Sequence, residues 1–167
     1  TAPEAVFEEG FEHGVEGWVV SRADPNHPTR WEFGEVRGGP YSARGGSRAC
    51  GTNLGGNYAN NAYTTLRSPL IDLTGLSHAE LSFWYIGDFG DNYGNDHGKV
   101  EVLDSGGAPL QSSRISGLST WFWKERVVPL PSSTCGRQVY LQFLLDDHHD
   151  GYVSRGVYVD DVAVIAD

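Results

Sequence analysis

Apolar positions along this chain recur every second residue. Helical spacing fails: no segment of a dozen residues keeps a 3.6 period without a Gly or Pro breaking it. Strand patterns take its place. AVFEEGF opens the chain, WVV follows at 18–20, and TRWEFGEV alternates at 29–36, with Trp31 and Phe33 assigned to one face. AYTTLRSPLIDL at 62–73 contains a Pro that predicts an edge or a bend. AELSFWYIG at 79–87 sets Leu81, Phe83 and Tyr85 against Trp84 and Ile86. GKVEVLD at 98–104 and TWFWKERVVPL at 120–130 continue the series. QVYLQFLLD at 138–146 places Val139, Leu141, Phe143 and Leu145 on one side. Eight to ten strands with Gly-rich turns predict an all-β fold, an antiparallel β-sandwich of jelly-roll type.

The closing stretch, VYVDDVAVIAD at 157–167, carries an interruption. Simple alternation groups Val157, Val159, Asp161, Ala163 and Ile165 on one face. Tyr158, Asp160, Val162 and Val164 take the other. Both faces are otherwise apolar, so the strand reads as buried on both sides, where an unpaired carboxylate is costly. Glu8, Glu9 and Glu12 lie near the start of the chain, and a jelly roll commonly brings first and last strands together. The acidic groups are therefore expected to converge on one Ca²⁺, which takes six to eight oxygen ligands. The candidate metal ligands are Glu9, Glu12, Asn53, Asp160 and Asp161, with Asn53 as a neutral donor from a loop also holding Asn57, Asn60 and Asn61. Asp160 and Asp161 face opposite sides and share an ion only if the strand bulges. Asp161, beside the small Ala163, is the favoured member. The alternative is solvated glutamates, with the Asp pair capping turns or meeting an Arg such as Arg155.

Three irregular stretches stand out: 37–61, DFGDNYGNDHG at 88–98 and DDHHDGYVSRG at 146–156. The second is rich in Asp88, Asp91 and Asp96 but lacks EF-hand spacing. The third contains Asp147, and its His148 and His149 read as polar loop residues. Tyr58, Tyr63 and Tyr93 sit in or beside these loops and are expected to be exposed. Trp121 and Trp123 share one face of a strand; exposed they form a platform for sugar rings, buried they are core. The candidate ligand-binding residues are these aromatics with Asp88, Asp91, Asp96 and Asp147 as acceptors for sugar hydroxyls.

A length of 167 residues with 39% hydrophobic content suits one domain spanning 1–167. The absence of Met suggests a processed product or a piece of a larger protein. A formal net charge of −10 disfavours nucleic acid and anionic membranes, and no apolar run approaches a membrane span. Cys50 and Cys135 lie too far apart for a CxxC motif. They form either one long-range disulfide or two buried thiols. There is no GxSxG elbow and no HExxH, and Cys50 lacks an activating neighbour, so catalysis is not expected.

The motifs assemble in order. Phe11-Glu12, Gly17-Trp18, the run from Leu66 to Leu73, Leu81 to Phe83 and Gly156 to Val162 together resemble the MAM-like jelly-roll modules of secreted bacterial proteins. That group includes gingipain cleaved-adhesin domains, "choice-of-anchor J" domains and the C-terminal module of immune inhibitor A-type metallopeptidases. His97-Gly98 stands where the family often has Asp-Gly, and Ser105-Gly106-Gly107 where it often has Asp-Gly-Gly and a Trp. The resemblance implies a secreted, monomeric, non-catalytic accessory or adhesion domain. The resemblance also implies structural Ca²⁺ between the domain's first and last strands, with Glu12, Asp160 and Asp161 as natural ligands. Its expected partner is a glycan, an extracellular protein surface or an adjacent domain of the parent protein. The alternative role is a packing domain that orients or shields a neighbouring hydrolase.

Overall fold

A computed structural model of the chain describes residues 3–36, 43–89, 96–115, 122–147 and 153–166. Twelve strands occur among them: β1 (Glu4–Glu9), β2 (Val19–Arg22), β3 (Glu32–Glu35), β4 (Arg48–Gly51), β5 (Tyr63–Arg67), β6 (Ile71–Asp72), β7 (Ala79–Asp88), β8 (His97–Asp104), β9 (Pro109–Ile115), β10 (Lys124–Leu130), β11 (Gln138–Asp146) and β12 (Gly156–Ala166). All pairings are antiparallel. One sheet runs β10-β7-β12-β4-β3, with β1 also on β12. The other runs β2-β5-β11-β8-β9, with β6 also on β11. The two sheets pack face to face, which is the expected jelly-roll sandwich.

The core forms where the inward residues of both sheets meet. Leu81 and Phe83 from β7 oppose Leu141 and Phe143 from β11, all fully buried. Phe83 and Phe143 meet edge to face at 5.2 Å, the geometry favoured by the ring quadrupole. Trp31 closes one side against Phe143 and donates its indole N–H to the Thr64 carbonyl at 3.1 Å. Burying each such ring stabilises by about 1.5–3 kcal/mol.

Pro69 acts as expected. β5 stops at Arg67 and β6 begins at Ile71. At the break the Ser68 N–H donates to the Leu141 carbonyl at 2.8 Å and the Ser68 hydroxyl accepts the Leu141 N–H at 2.9 Å, so both Leu141 backbone groups are satisfied beside Pro69, which has no N–H to give. Trp31 and Phe33 do not share a face: Trp31 is 2% exposed and Phe33 40%. β3 begins at Glu32, so Trp31 precedes the strand and alternation does not reach it. The two cysteines are separate buried thiols rather than a disulfide. Cys135 donates its thiol to the Leu130 carbonyl, and Cys50 faces the core from β4. Strands β4 and β9 were not anticipated. β4 is four residues set in a Gly-rich run, and β9 is a polar edge strand.

Candidate functional site

β12 has β7 along one side. Its other side is divided. Tyr158 and Val159 pair with Gly51 and Cys50 of β4, while Val162 to Ala166 pair with β1 from Glu9 back to Glu4. Asp160 and Asp161 fall in the gap between these two neighbours. The register on β7 slips there: Asp160 faces Trp84 and Ala163 faces Ser82, leaving two residues opposite Phe83. This is a β-bulge, and Asp161 takes a left-handed φ of 47° within it. The bulge corrects the simple alternation. Val157, Val159, Val162 and Val164 all join the core, and neither aspartate does.

Asp160 is fully buried on the outer side, beneath the segment before β4. It is held by backbone amides: Gly45 donates to Oδ2 at 3.1 Å and Asp161 to Oδ1 at 2.8 Å. Burial nevertheless pushes its carboxyl up to about 6. The Gly45, Asp161 and Arg44 amides oppose that shift, and the Asp161 charge adds to it. The Asp161 carboxylate lies between the backbones of Gly10 and Gly45; a Cβ on Gly45 would stand 2.8 Å from its Oδ2. Among the described residues no N–H donor holds Asp161 by its side chain.

Glu9 and Glu12 shape the turn leaving β1. Glu9 accepts the Phe11 N–H and the Trp18 indole N–H, both at 3.0 Å. Phe11, in a left-handed conformation, turns the chain there. Glu12 reaches across to the strand entering β4 and accepts the Ser47 and Arg48 amides, the latter at 2.9 Å. Gly46 has no room for a side chain, because its Cβ would strike Glu12. Burial, then the charges of Glu9 and Asp160, push the Cys50 thiol up, which keeps it protonated.

The structure thus sets Glu9, Glu12, Asp160 and Asp161 around the junction of β1, β4 and β12, each turned to its own backbone contacts. Four carboxylates with one shifted upward by burial suit a hard, oxygen-seeking cation in kind. Glu9 and Glu12 already spend oxygens on N–H donors. Among the described residues no three His, Cys, Asp or Glu side chains stand close enough to enclose an ion. Asn53 is not in this group. It lies beyond Gly51, toward the Gly156 end of β12, and its amide is used inside its own loop with Asn57 and Gly55.

The other named residues divide sharply by exposure. Tyr58 is 1% exposed, contrary to expectation, and donates its hydroxyl to Asp96 Oδ2 at 2.6 Å. Asp88, Asp96 and Asp147 are buried too, so they are part of the scaffold rather than free acceptors on a surface. Asp147 accepts the Asn61 amide. Trp123 is half-buried against a small outer cluster of Leu54, Ile86 and Tyr158. Tyr93, Asp91 and Trp121 lie outside the described residues. Tyr63 is the one that meets its expectation, at 41% exposed. It stands opposite Asp146 in the β5–β11 ladder and lines a cleft of about 540 Å³ with Asp24, His27, Asn61 and Asp146. Desolvation, then the charges of Glu101 and Asp146, raise its hydroxyl pKa.

Gly45, Gly46 and Arg44 were missed as site residues. The Gly-Gly pair in ARGGS was a signal for close backbone approach, and that is its use here. Asp24 and His27 carried no comparable signal.

With this geometry in view, the relatives can be placed. The chain is 22% identical to the K1 cleaved adhesin domain of Lys-gingipain from Porphyromonas gingivalis W83, covering 96% of this chain and 98% of that one with a TM-score of 0.66. It shares the fold of the cleaved adhesin domains. TmCBM61, solved in complex with β-1,4-galactotriose, gives 17% identity and a TM-score of 0.62 over 95% of this chain and 94% of its own. A cyclase from Fischerella sp. gives 15% identity and a TM-score of 0.66 over 95% of this chain and 92% of its own. Bacillopeptidase F of Bacillus subtilis (strain 168) is 31% identical over 160 residues, 96% of this chain. The chain spans 11% of the length of that protein. No family model matches the chain.

Proposed function

We propose that this chain is a non-catalytic accessory module, extracellular, stabilised by Ca²⁺ and built to bind a glycan. The observation that carries the reading is the Tyr63 cleft: a half-exposed ring beside the carboxylates of Asp24 and Asp146. An aromatic face takes the C–H face of a sugar, and carboxylates accept its hydroxyl hydrogens. The galactotriose complex of a protein with this fold supports carbohydrate as the ligand class. Enzymes also use the fold, as the cyclase does. The non-catalytic reading rests instead on the chain's own groups, above all a Cys50 thiol that burial keeps protonated.

Ca²⁺ belongs at the bulge. Asp161, whose carboxylate accepts no N–H among the described residues, would supply the charged oxygens, and neutral oxygens would have to complete the ion's shell. Its role is to pin β1 and β4 to β12. A second reading, a packing module beside a hydrolase domain, is favoured by the Bacillopeptidase F relative, of which this chain matches a small part.

Affinity electrophoresis separates the two. Retardation by β-1,4-galactan or another neutral polysaccharide, weakened about tenfold by Tyr63→Ala, supports glycan binding; tenfold corresponds to about 1.4 kcal/mol. Free migration through every polysaccharide leaves the packing role.

A further inference from the structure

Strands β2 and β3 end the two sheets, and residues of both line a cleft of about 410 Å³ on that open side of the sandwich. This is within the usual ~300–1,000 Å³ range of ligand pockets. It is separate in its chemistry from the Tyr63 cleft. Val20 and Phe33 flank it at 41% and 40% exposed, and Leu66 lies at its floor. Arg22 and Arg30 also line it. Two guanidiniums in one cleft run against a chain of formal net charge −10.

Arg22 gives one N–H to the His27 carbonyl, which fixes its position and leaves further donors. Arg30 is exposed and makes no hydrogen bond or ion pair among the described residues. Glu32 shares the cleft but accepts the Leu54 amide at 3.2 Å, and it pairs with neither arginine. The positive charge is therefore not consumed internally. A guanidinium fork matches a carboxylate, and an exposed Phe ring offers a flat apolar face.

We infer that this cleft binds an acidic polysaccharide, with a uronate carboxylate drawn to Arg22 and Arg30 and its sugar ring lying on Phe33. An acidic peptide is the weaker fit. A peptide added as a strand gains its affinity from main-chain hydrogen bonds along an edge, and β2 and β3 offer only four residues each.

The test is affinity electrophoresis of the whole chain in polygalacturonate gels near 0.15 M salt, where long-range repulsion is screened beyond about 8 Å. Retardation of the wild type is expected, with Arg30→Gln and Phe33→Ala each weakening it at least fivefold. The same variants should leave any retardation by neutral galactan unchanged, which separates this cleft from the one at Tyr63. Free migration in polygalacturonate overturns the inference, and so does an Arg30→Gln protein retarded like the wild type. Equal retardation by dextran sulfate or polyglutamate, equally lost in Arg30→Gln, also overturns it, since that outcome marks a general anion patch.

Discussion

β11 and β12 both run inside their sheets with neighbours on either side, yet they handle polar residues in opposite ways. β11 keeps strict alternation: Val139, Leu141, Phe143 and Leu145 are all fully buried, with Tyr140 and Gln142 on the other face. Its partner on one side, β8, follows it from Val139 to Asp146. β12 changes partner midway, from β4 to β1, and breaks at that point. The other side of β11 passes from β5 to β6, but Ser68 between them bonds Leu141 both ways, so no backbone group is left over and the period holds. At the β12 break no such residue bridges β4 and β1, and a bulge with a carboxylate facing amides satisfies the backbone instead. Polar chemistry collects at the break.

This contrast can be pressed by substitution. The largest effect belongs to the regular strand. Phe143→Ala removes a ring packed on Phe83 and Trp31 and should cost about 3–5 kcal/mol in urea unfolding. A cost below ~1 kcal/mol would mean that the sandwich centre is not where the stability lies.

Asp160→Ala comes next. It strands the Gly45 and Asp161 amides and should cost about 1–3 kcal/mol at pH 4. Its pH dependence follows from a carboxyl raised to about 6. A raised carboxyl binds its proton more tightly when folded. Its contribution is therefore complete below the ordinary value of 3.8 and is lost as pH rises through about 6. In chelator, the cost of Asp160→Ala should shrink from pH 4 to pH 7; an equal cost at both would contradict the burial argument.

The smallest effect probes the bulge backbone. Asp161→Val and Asp161→Gly both remove the carboxylate, but only Val strains at a φ of 47°. Val should be less stable than Gly by about 1–2 kcal/mol. Equal stabilities would mean that the bulge relaxes without the aspartate.

The same contrast explains what the sequence revealed. β7, β8 and β11 were legible because alternation within a strand is a local signal: Leu81, Phe83, Val100, Val102 and the β11 set all point inward. Asp160 was legible because burying a charge is expensive wherever it occurs, and Glu9 and Glu12 because first and last strands of this fold meet. The bulge was not, since it arises from a neighbour change that only the topology contains. Asn53 and Tyr58 were misplaced for a related reason. Composition marks a loop as polar, but folding decided that Tyr58 packs inward onto Asp96 and that Asn53 closes its own turn.

The central claim is that the Asp161 carboxylate at the β12 break holds a cation that ties β1 and β4 to the last strand. Thermal unfolding at pH 7.5, with CaCl₂ and with excess chelator, tests it on the wild type and Asp161→Asn. Saturation at 100 times Kd adds about 2.7 kcal/mol, and each kcal/mol moves the midpoint of a chain this size by roughly 2–4 °C. The account predicts a wild-type midpoint that falls by several degrees in chelator and a variant that ignores it. A wild-type midpoint unchanged by chelator would contradict the account.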